Sequence, residues 1–479
     1  MYDKILDICK RRGIVYPSFE IYGGLSGFID YGPVGSRIKQ NVEDLLRRHY
    51  VVADGCFEVQ CPTLSPEEVW IASGHVKGFA DLMVECTKCS EGYRADKLLD
   101  DVGVEAEGKP AETVAQLLID NRITCPQCKG QLSKPYAYNL MFQTSVGTGS
   151  KRKTAYMRPE TAQTTYLPFK RLWEFARRKL PFGVMQIGHS FRNEISPRQG
   201  MIRLREFNQA EIQFFLDPAD KKAPRLSEVA QRQVKITDKN GKLHETTIGD
   251  AHKGGIIPLG FIAYHLGKAM SVFEDMGIDG SRLQLRQHRE DERAFYSSDT
   301  WDVEYASDVF GRIELVGIAD RSDYDLTQHM TLSKEDMNVN IEGRKFVPHV
   351  VEVAYGIDRP IYCILESCLR EEGERTYFSF PTKTAPYIAG VFSLMKKDGI
   401  DEKAESVFRS LKDAGLFVLL DHAGSIGKRY ARADEIGVPY CITVDYDTMK
   451  DDTVTVRERD GKTQTRVSIS KLREHLMGD

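Results

Sequence analysis

Two pairs of cysteines with the spacing Cys-x-x-Cys limit the folds that this chain can adopt. They are Cys86 with Cys89 and Cys125 with Cys128. Four thiolates can bind one tetrahedral zinc ion, which would tie together two distant segments of the sequence. The residues between the pairs must then loop out, and a helix is expected over residues 112–121. The sequence predicts a structural zinc site, with a redox-active dithiol or four inert thiols as the alternatives.

Composition and charge restrict the functions that the chain can have. Its 479 residues are 41% hydrophobic and 28% charged, which is typical of soluble protein with two or three domains. With a net charge of −4, a nucleic-acid partner would have to meet a local basic surface. No run approaches the roughly 18 apolar residues of a membrane span, and the first residues lack a secretory apolar region. We expect a cytoplasmic protein without a membrane partner.

The segment "FRNEISPRQGMIRLREFNQAE", residues 191–211, interleaves basic and acidic side chains. Its arginines are Arg192, Arg198, Arg203 and Arg205, and its acids are Glu194, Glu206 and Glu211. At the two-residue period of a strand, Arg203, Arg205, Phe207, Gln209 and Glu211 share one face. A solvated face would explain the charges but not the phenylalanine. The sequence therefore predicts a ligand platform that combines phosphate-binding arginines, a stacking ring and a cation-binding carboxylate.

Three further segments carry acids and arginines at turns. "MRPETAQ" contains Glu160, "ELVGIADRSDYDL" contains Glu314 and Arg321, and "HVVEVAYGIDRP" contains Glu352 and Arg359. Each segment alone also fits a surface turn or a helix cap. Together with Glu211, the acids would raise one another's pKa unless a cation is bound. The combination favours one pocket for a ligand that has both a phosphate and an ammonium group.

The last part of the chain reads as a separate small unit. "SFPTKTAP", residues 379–386, marks the boundary, and the text beyond it alternates strands and helices before a two-stranded hairpin. One helix, beginning after "AGS", carries Lys428, Arg429 and Arg432 and could meet phosphate, although a solvated basic face is the alternative. Before the boundary, the lysine-rich text of residues 221–258 predicts a hairpin insertion on the surface.

Long motifs in a fixed order carry a resemblance to a known family. The chain resembles the class II aminoacyl-tRNA synthetases, and within them the dimeric glycyl-tRNA synthetases of archaeal and eukaryotic-like type. The matching motifs are "PSFEIYGGLSGFIDYGPVG", "RPETAQ", "FRNE", "GIADRSDYDL", "GIDR" and "GSIGKRYARADEIGVPYCITVDYDT". The resemblance covers nearly the whole chain. It implies a catalytic domain built on an antiparallel sheet over residues 1–384, with a zinc-binding insertion at 84–150 and a second insertion at 218–290. An α/β anticodon-binding domain over residues 385–479 would follow.

The resemblance also implies roles for individual residues. Arg192 would hold the ATP α-phosphate and the amino-acid carboxylate, and Arg359 would lie on the γ-phosphate side. Other expected ATP contacts are Glu194, Arg203, Phe207 and Glu314, the last of them linked to magnesium. Expected glycine contacts are Glu160, Glu211, Arg321, Glu352 and Ala354. Lys428, Arg429 and Arg432 would contact tRNA(Gly), and Pro62 in the first class motif implies a homodimer.

The chain departs from the family pattern at a few positions. Val353 and Ala354 stand where a proline and a serine are common, Thr164 where a glycine is common, and Phe295 where a histidine is common. The missing hydroxyl at residue 354 predicts weaker discrimination between glycine and larger amino acids.

Three other readings of the sequence remain. A non-enzymatic protein built on the synthetase fold should have lost the arginines that hold ATP. A synthetase for serine, threonine or proline would share the fold but would not explain three glutamates in one pocket. A zinc-dependent nucleic-acid-binding module would leave that acidic pocket unexplained.

Overall fold

A computed structural model describes residues 1–197, 200–294 and 296–478, so Arg198 and Phe295 lie outside the described residues. The helices of the described residues, α1 to α16 in chain order, are Tyr2–Arg12, Pro33–Arg47, Glu67–Ala72, His75–Gly78, Ala95–Asp100, Ala111–Asp120, Ala162–Tyr166, Phe169–Phe175, Ile248–Lys253, Gly260–Met276, Tyr324–Ser333, Asp358–Cys368, Ile400–Asp413, Ile426–Glu435, Thr448–Asp451 and Leu472–Met477.

The strands of the same residues, β1 to β26 in chain order, are Val15–Pro17, Ile29–Tyr31, Phe57–Glu58, Leu64–Pro66, Ala80–Glu85, Gly92–Arg94, Tyr136–Asn139, Gln143–Val146, Lys153–Met157, Phe182–Phe191, Glu206–Leu216, Gln233–Thr237, Leu243–Thr247, Leu283–Gln287, Asp299–Ser307, Gly311–Ser322, Val339–Ile341, Arg344–Phe346, His349–Gly356, Leu369–Glu372, Arg375–Phe378, Ala389–Ser393, Val418–Leu420, Tyr440–Val444, Thr453–Glu458 and Gln464–Ser468.

A nine-stranded sheet forms the centre of the molecule, in the order β13-β12-β14-β15-β16-β19-β11-β10-β3. Most neighbours are antiparallel, and the exceptions are β3 with β10 and β12 with β14. The strand β11 lies between β10 and β19, so both of its edges are paired. Alternate side chains of these strands therefore face opposite sides of the sheet.

Helices α2, α10 and α12 cover one side of this sheet. Ala210, Ile212 and Phe214 of β11 point to that side and are buried in the same hydrophobic cluster as α10. The ring of Phe214 lies 4.3 Å from the His265 ring of α10, measured between centroids. The opposite side of the sheet carries Phe207 and the polar residues Gln209, Glu211 and Gln213 of β11. That side remains open to a ligand.

The segment 218–290 is more deeply integrated than a surface hairpin. The predicted hairpin exists as β12 and β13, but β12 pairs with β14 and thereby extends the central sheet. The helix α10 in the same segment is buried along most of its length. The hairpin predicted over residues 221–258 is therefore present, but its peripheral placement is wrong, because Val234, Ile236, Ile248, Ala251 and Ile257 belong to the main core.

A small module around the four cysteines lies between β5 and β7. The strands β5, β6 and β7 form a three-stranded sheet, and α5 and α6 pack beside it around a separate hydrophobic cluster. The helix α6, Ala111–Asp120, agrees within a residue with the helix expected over 112–121. The two cysteine pairs lie at the two ends of this excursion.

The C-terminal unit, residues 389–477, has its own sheet and core. Its strand order is β23-β22-β24-β25-β26, with three parallel strands followed by an antiparallel hairpin at the edge. The predicted alternation of strands and helices is present. The N-terminal helix α1 contacts this unit, since Arg11 and Arg12 both pair with Glu435 at the end of α14.

Candidate active site

The eleven residues predicted to hold ATP and glycine all line one cavity of about 370 Å³ on the open side of the central sheet. They are Glu160, Arg192, Glu194, Arg203, Phe207, Glu211, Glu314, Arg321, Glu352, Ala354 and Arg359. Phe207 and Glu211 come from β11, and Glu352 and Ala354 from the neighbouring β19. The two-residue period of the strands explains why these side chains share a face.

One end of the cavity combines Arg192 with two aromatic rings. The Arg192 guanidinium carbon lies 5.3 Å from the ring centroids of both Phe79 and Phe207. Its Nε donates to the Pro159 carbonyl at 3.1 Å, which fixes the direction of the guanidinium. Its remaining N–H groups can then meet an anion. The Phe207 ring offers a surface on which a flat base can stack.

Glu194 presents an unsatisfied acceptor at the same end. Among the described residues, no donor forms a hydrogen bond with its buried Oε2. Arg203 forms an ion pair with Glu194, with its Nη1 3.8 Å from Oε2. A buried carboxylate oxygen without a hydrogen bond is costly, so a ligand that donates N–H to it would be stabilised.

Arg203 and Arg205 do not share the strand face on which the sequence places them. The strand β11 begins at Glu206, so both arginines precede it. Arg203 still lines the cavity, whereas Arg205 donates to the carbonyls of Glu194 at 3.0 Å and Ser26 at 2.9 Å. The expectation that Arg205 belongs to the ligand platform is wrong, because its guanidinium joins two loops instead.

Arg359 and Glu314 lie together at another part of the cavity wall. Arg359 donates to Glu314 Oε2 at 3.3 Å and, through Nε, to the Ile202 carbonyl at 3.0 Å. Asp302, which the sequence reasoning missed, adds a second acid here. If Gly317 carried a Cβ, Glu314 Oε1 and Asp302 Oδ1 would lie 3.7 and 3.8 Å from it. Two carboxylates therefore converge over a residue that leaves space.

Asp302 is buried and receives a bond from His288. Its Oδ2 lies 2.7 Å from His288 Nε2 and 3.2 Å from an Arg286 nitrogen. Burial and the charge of Glu314 raise the pKa of Asp302. Burial lowers the pKa of His288, but the bond to Asp302 more than offsets this effect and the net shift is upward. A divalent cation between Asp302 and Glu314 would relieve the repulsion between the two acids.

The opposite end of the cavity is acidic and buried. Glu160, Glu211 and Glu352 converge there around Arg321, whose Nη1 donates to Glu352 Oε2 at 2.8 Å. The other donors of Arg321 go to Asp325, at 2.7 and 2.8 Å. Arg321 is already shared by two carboxylates. The negative charges of Glu160 and Glu211 can therefore attract a further cation.

The pKa values of the acids differ because their partners differ. Burial, followed by repulsion from Glu352 and Glu160, raises the pKa of Glu211 to about 8. Burial also raises the pKa of Glu352 to about 7, although Arg321 acts in the opposite direction. Burial opposes ionisation of Glu160 as well, but His75 and Arg321 outweigh it and lower its pKa. An ammonium group placed among them would favour the ionised form of all three.

Two of the residues around the acids carried no recognisable signal in the sequence. His75 lies with Nε2 3.5 Å from Glu160 Oε2, and Asp325 anchors Arg321 from the next helix, α11. His75 is a single histidine in a short turn, with no spacing that identifies a partner. Asp325 lies within "GIADRSDYDL", which contains three aspartates and one arginine. The sequence therefore did not indicate which aspartate pairs with Arg321.

The departures from the family pattern fall into two kinds. Ala354 lines the acidic end of the cavity with a methyl group, whereas Val353 points to the buried opposite side of the sheet. Thr164 is also buried, where its hydroxyl donates to the Thr161 carbonyl at 3.0 Å and accepts from Gln186 at 3.1 Å. Only Ala354 of these three therefore changes the surface that a ligand would meet.

The four cysteines of the small module fit a tetrahedral metal ion. Their sulfur atoms all lie within 4.8 Å of one another, with Cys86 3.4 Å from Cys128 and Cys89 3.6 Å from Cys125. The arrangement pairs each cysteine of one Cys-x-x-Cys motif with one from the other. Four sulfur donors at such distances are compatible with zinc and leave no open coordination position.

The basic residues of α14 are not equally accessible. Lys428 is exposed. Arg429 is buried at 4% exposure and donates to the carbonyls of Ser393 at 2.7 Å and Gly424 at 3.2 Å. Arg432 is half-buried and pairs with Asp421 at 2.6 Å. The prediction that Arg429 contacts tRNA is corrected, because its guanidinium is used to hold the loop before the helix.

Comparison with protein families agrees with this architecture. Residues 147–368 match the family described as "tRNA synthetase class II core domain (G, H, P, S and T)". Residues 389–477 match the family described as "Anticodon binding domain". A prolyl-tRNA synthetase of Giardia lamblia, solved with prolyl-adenylate, aligns over 100% of this chain and 78% of its own, with a TM-score of 0.60 and 14% identity. A threonyl-tRNA synthetase structure from Cryptosporidium parvum aligns over 98% and 97%, with a TM-score of 0.63 and 17% identity. The fold and the cavity define a class II tRNA synthetase, and the predicted fold class is confirmed.

Relatives with higher identity narrow the family. A glycine–tRNA ligase of Methanococcus vannielii is 39% identical, with 99% of each chain covered. One from Methanocaldococcus jannaschii is 40% identical over 99% of this chain and 98% of its own length. The chain belongs to the glycine–tRNA ligase family.

Proposed function

We propose that the protein attaches glycine to the 3′ end of tRNA(Gly) at the expense of ATP. The observation that carries this proposal is the meeting of anion-binding arginines and a three-glutamate pocket in one cavity. Arg192 and Arg359 suit a triphosphate, and the acidic end suits the ammonium of a small amino acid. Arg192 lies at the Phe207 end of the cavity, and we expect its remaining N–H groups to contact both the α-phosphate and the amino-acid carboxylate.

The reaction proceeds in two transfers. The glycine carboxylate attacks the α-phosphorus of ATP in line, pyrophosphate leaves, and glycyl-adenylate forms. A terminal ribose hydroxyl of the tRNA then attacks the glycyl carbonyl carbon and displaces AMP. Arg192 and Arg359 stabilise the charge that develops on the phosphate oxygens, so catalysis depends on placement and electrostatics without a covalent protein intermediate.

Asp302 and Glu314 would hold magnesium. Their oxygens are the hard ligands that this ion prefers, and their convergence at Gly317 supports the assignment. Magnesium would neutralise charge on the phosphates when bound. Arg359, which donates to Glu314, would keep this carboxylate turned toward the cavity.

Several partners follow from the same proposal. Zinc bound by Cys86, Cys89, Cys125 and Cys128 would hold the small module together. In the C-terminal unit, the exposed Lys428 and the half-buried Arg432 would contact tRNA(Gly). We place the boundary between the catalytic domain and this unit between residues 384 and 385. A homodimer in the cytoplasm is consistent with the family. None of the helices in the described residues has the length and apolarity that a bilayer crossing requires.

ATP–pyrophosphate exchange tests the proposal directly. We expect exchange with glycine, and much lower exchange with serine, threonine or proline. Arg192→Ala should lose roughly 3 kcal/mol or more of transition-state stabilisation. Arg409→Ala is the control, because Arg409 is exposed on α13 and pairs only with Glu405 in the contacts described. Near-normal glycine exchange in Arg192→Ala would refute the role of this arginine.

Selection against alanine is measured in the same assay. The methyl group of Ala354 replaces a hydroxyl in the cavity wall, so we expect the preference for glycine over alanine to be weaker than in Ala354→Ser. A single methyl group is worth about 1–3 kcal/mol of discrimination in a tight pocket. A clear preference for alanine or serine over glycine would reverse the substrate assignment.

A further inference from the structure

We propose that His75 is a positioning residue for the amino-acid substrate, holding Glu160 ionised and turned toward the substrate ammonium without touching the substrate itself. This role rests on the proposed function, since it requires an ammonium at the acidic end of the cavity. His75 opens the short helix α4 and is 8% exposed. His75 contacts Glu160, which lines the cavity, but is not itself among the lining residues.

The hydrogen bonds of His75 direct a ring N–H at Glu160. Nδ1 lies 2.8 Å from Ser73 Oγ, and Nε2 lies 3.5 Å from Glu160 Oε2. If Ser73 donates to Nδ1, the neutral ring carries its proton on Nε2. If Ser73 instead donates to the Val69 carbonyl at 3.1 Å, Nδ1 must carry a proton, and only the imidazolium then avoids placing a lone pair against the carboxylate. Both arrangements give Nε2–H toward Glu160.

The second oxygen of Glu160 is held from the same side. Gln163 Nε2 donates to Glu160 Oε1 at 3.1 Å. The amide of Gln163 is in turn oriented by His329, whose Nε2 lies 2.9 Å from Gln163 Oε1. Burial lowers the pKa of His329, so this second histidine is neutral and contributes a hydrogen bond without a charge. His75 is thus the partner of Glu160 that can also supply positive charge from this side.

The charges that face Glu160 make such a partner necessary. They come from four elements and are His75 of α4, Glu211 of β11, Arg321 of β16 and Glu352 of β19. Arg321 is committed to Asp325 and Glu352. Within the described residues, the donors to Glu211 are the neutral side chains of Thr161 and Gln209. The pKa of Glu211 is raised to about 8, whereas that of Glu160 is lowered. Among the groups that lower the pKa of Glu160, His75 acts most strongly, ahead of Arg321 and Gln163.

Aromatic neighbours fix the ring plane of His75. The Trp70 ring lies 5.4 Å away at 76°, and the Phe79 ring lies 5.3 Å away at 48°. Phe79 also lies against Arg192, so the same turn contacts both ends of the substrate site. An apolar ring at residue 75 would keep these contacts and remove the Nε2–H that faces Glu160, together with the bond between Nδ1 and Ser73.

The test compares His75→Phe and His75→Gln in the full chain by glycine-dependent ATP–pyrophosphate exchange from pH 6.5 to 9. In His75→Phe we expect the KM for glycine at pH 7.5 to rise at least tenfold, while the KM for ATP changes less than twofold. The fall of glycine KM with rising pH should become steeper than in the wild type, because Glu160 must then ionise together with Glu211 and Glu352 before glycine binds. His75→Gln keeps an N–H donor and should recover most of the glycine affinity near pH 9.

His244→Phe is the matched control, because His244 lies on the β12–β13 hairpin and pairs with Asp238 at 2.8 Å. An unchanged glycine KM in His75→Phe, or an equal rise in the KM values for glycine and ATP, would overturn the proposal. So would a rise in glycine KM with the pH profile unmoved in both variants, which would indicate packing alone. Failure of the wild-type chain to exchange with glycine would instead overturn the proposed function.

Discussion

Single residues at the acidic end of the cavity carry a proton that the substrate has to displace. Glu211 and Glu352 have pKa values raised to about 8 and about 7, so a substantial fraction of each is protonated near neutral pH. An ammonium binds best when both are ionised. Glycine binding should therefore release protons at pH 7.

We expect the KM for glycine to fall as the pH rises from 6.5 to 8.5, by roughly tenfold or more, and then to become constant. The sign follows from the raised pKa values, because the binding-competent ionised acids become populated only as pH passes through 7 to 8. Exchange kinetics at saturating ATP measure this directly. The KM for ATP is the internal control, and a glycine KM independent of pH would contradict the titration of these acids.

The sequence predicted which side chains of β11 share a face. It did not predict which charged side chains lie beside the acids. Phe207, Gln209 and Glu211 share a face because the strand period requires it. Arg205 departs from that pattern because β11 begins only at Glu206, and a strand boundary is set by pairing with β10 and β19. His75 approaches Glu160 from 85 positions earlier in the chain, a contact that no local pattern encodes.

At the scale of elements, helix α10 contains a buried histidine without a hydrogen bond. Among the described residues, neither ring nitrogen of His265 has a partner, and its neighbours are the rings of Tyr50, Phe214, Phe261 and Tyr264. Burial, aided by the nearby Lys268 charge, lowers the pKa of His265 well below its usual value. The folded protein therefore keeps this ring neutral.

This histidine should make the fold acid-sensitive. The unfolded chain binds a proton at His265 near pH 6.5 while the folded chain does not, so stability is lost as pH falls below 6.5. At pH 5 the loss should be about 2 kcal/mol. Between pH 7.5 and pH 5, we expect the melting temperature of His265→Phe to decrease less than that of the wild type. An equal loss in both proteins would contradict the assignment.

The cysteine module makes a separate prediction about metal. Purified protein should contain about one zinc per chain, and Cys125→Ser should lose it, because a three-thiolate site binds zinc more weakly. Elemental analysis and limited proteolysis of residues 84–150 measure the two consequences. Cys61→Ser, outside the module, should retain the metal. A metal-free wild-type protein purified without chelator would remove the claim.

Local patterns predicted elements more reliably than the way elements assemble. The helix α6, the C-terminal alternation and the β12–β13 hairpin are all encoded in nearby residues. The parallel pairing of β12 with β14 joins strands separated by the whole of α10, and its stability comes from burial of that helix. Such non-local pairing explains why the sequence of residues 221–258 predicted a peripheral hairpin.

At the scale of the whole molecule, helix α1 connects the C-terminal unit to the cavity. Arg11 and Arg12 at its end pair with Glu435 of α14. Tyr2 at its start packs on Phe310 and lies against Gly200, beside Met201 and Ile202 of the cavity wall. An additional contact places the Arg37 guanidinium 3.4 Å from the Phe417 ring centroid.

We expect Arg12→Glu to reduce kcat/KM for tRNA aminoacylation by roughly threefold, the effect of losing one partly exposed ion pair. Glu435→Arg should reduce it further, because Glu435 pairs with both Arg11 and Arg12. Glycine-dependent exchange without tRNA should be unchanged, because neither residue lines the cavity. The double reversal re-forms the pair between residues 12 and 435 but leaves Arg11 beside an arginine. It should therefore recover part of the loss seen in Glu435→Arg, which distinguishes the pair from general damage. Equal losses in exchange and aminoacylation would contradict a role limited to orienting the C-terminal unit.

One strand, β11, supplies both the ring for the base and an acid for the ammonium. Phe207 and Glu211 are four residues apart, which fixes their separation at roughly 13 Å by the rise of an extended chain. A single inserted or deleted residue between them would turn Glu211 to the helix-covered side. Evolutionary change in this part of the substrate site is therefore confined to replacement of side chains, and length variation has to occur in the loops.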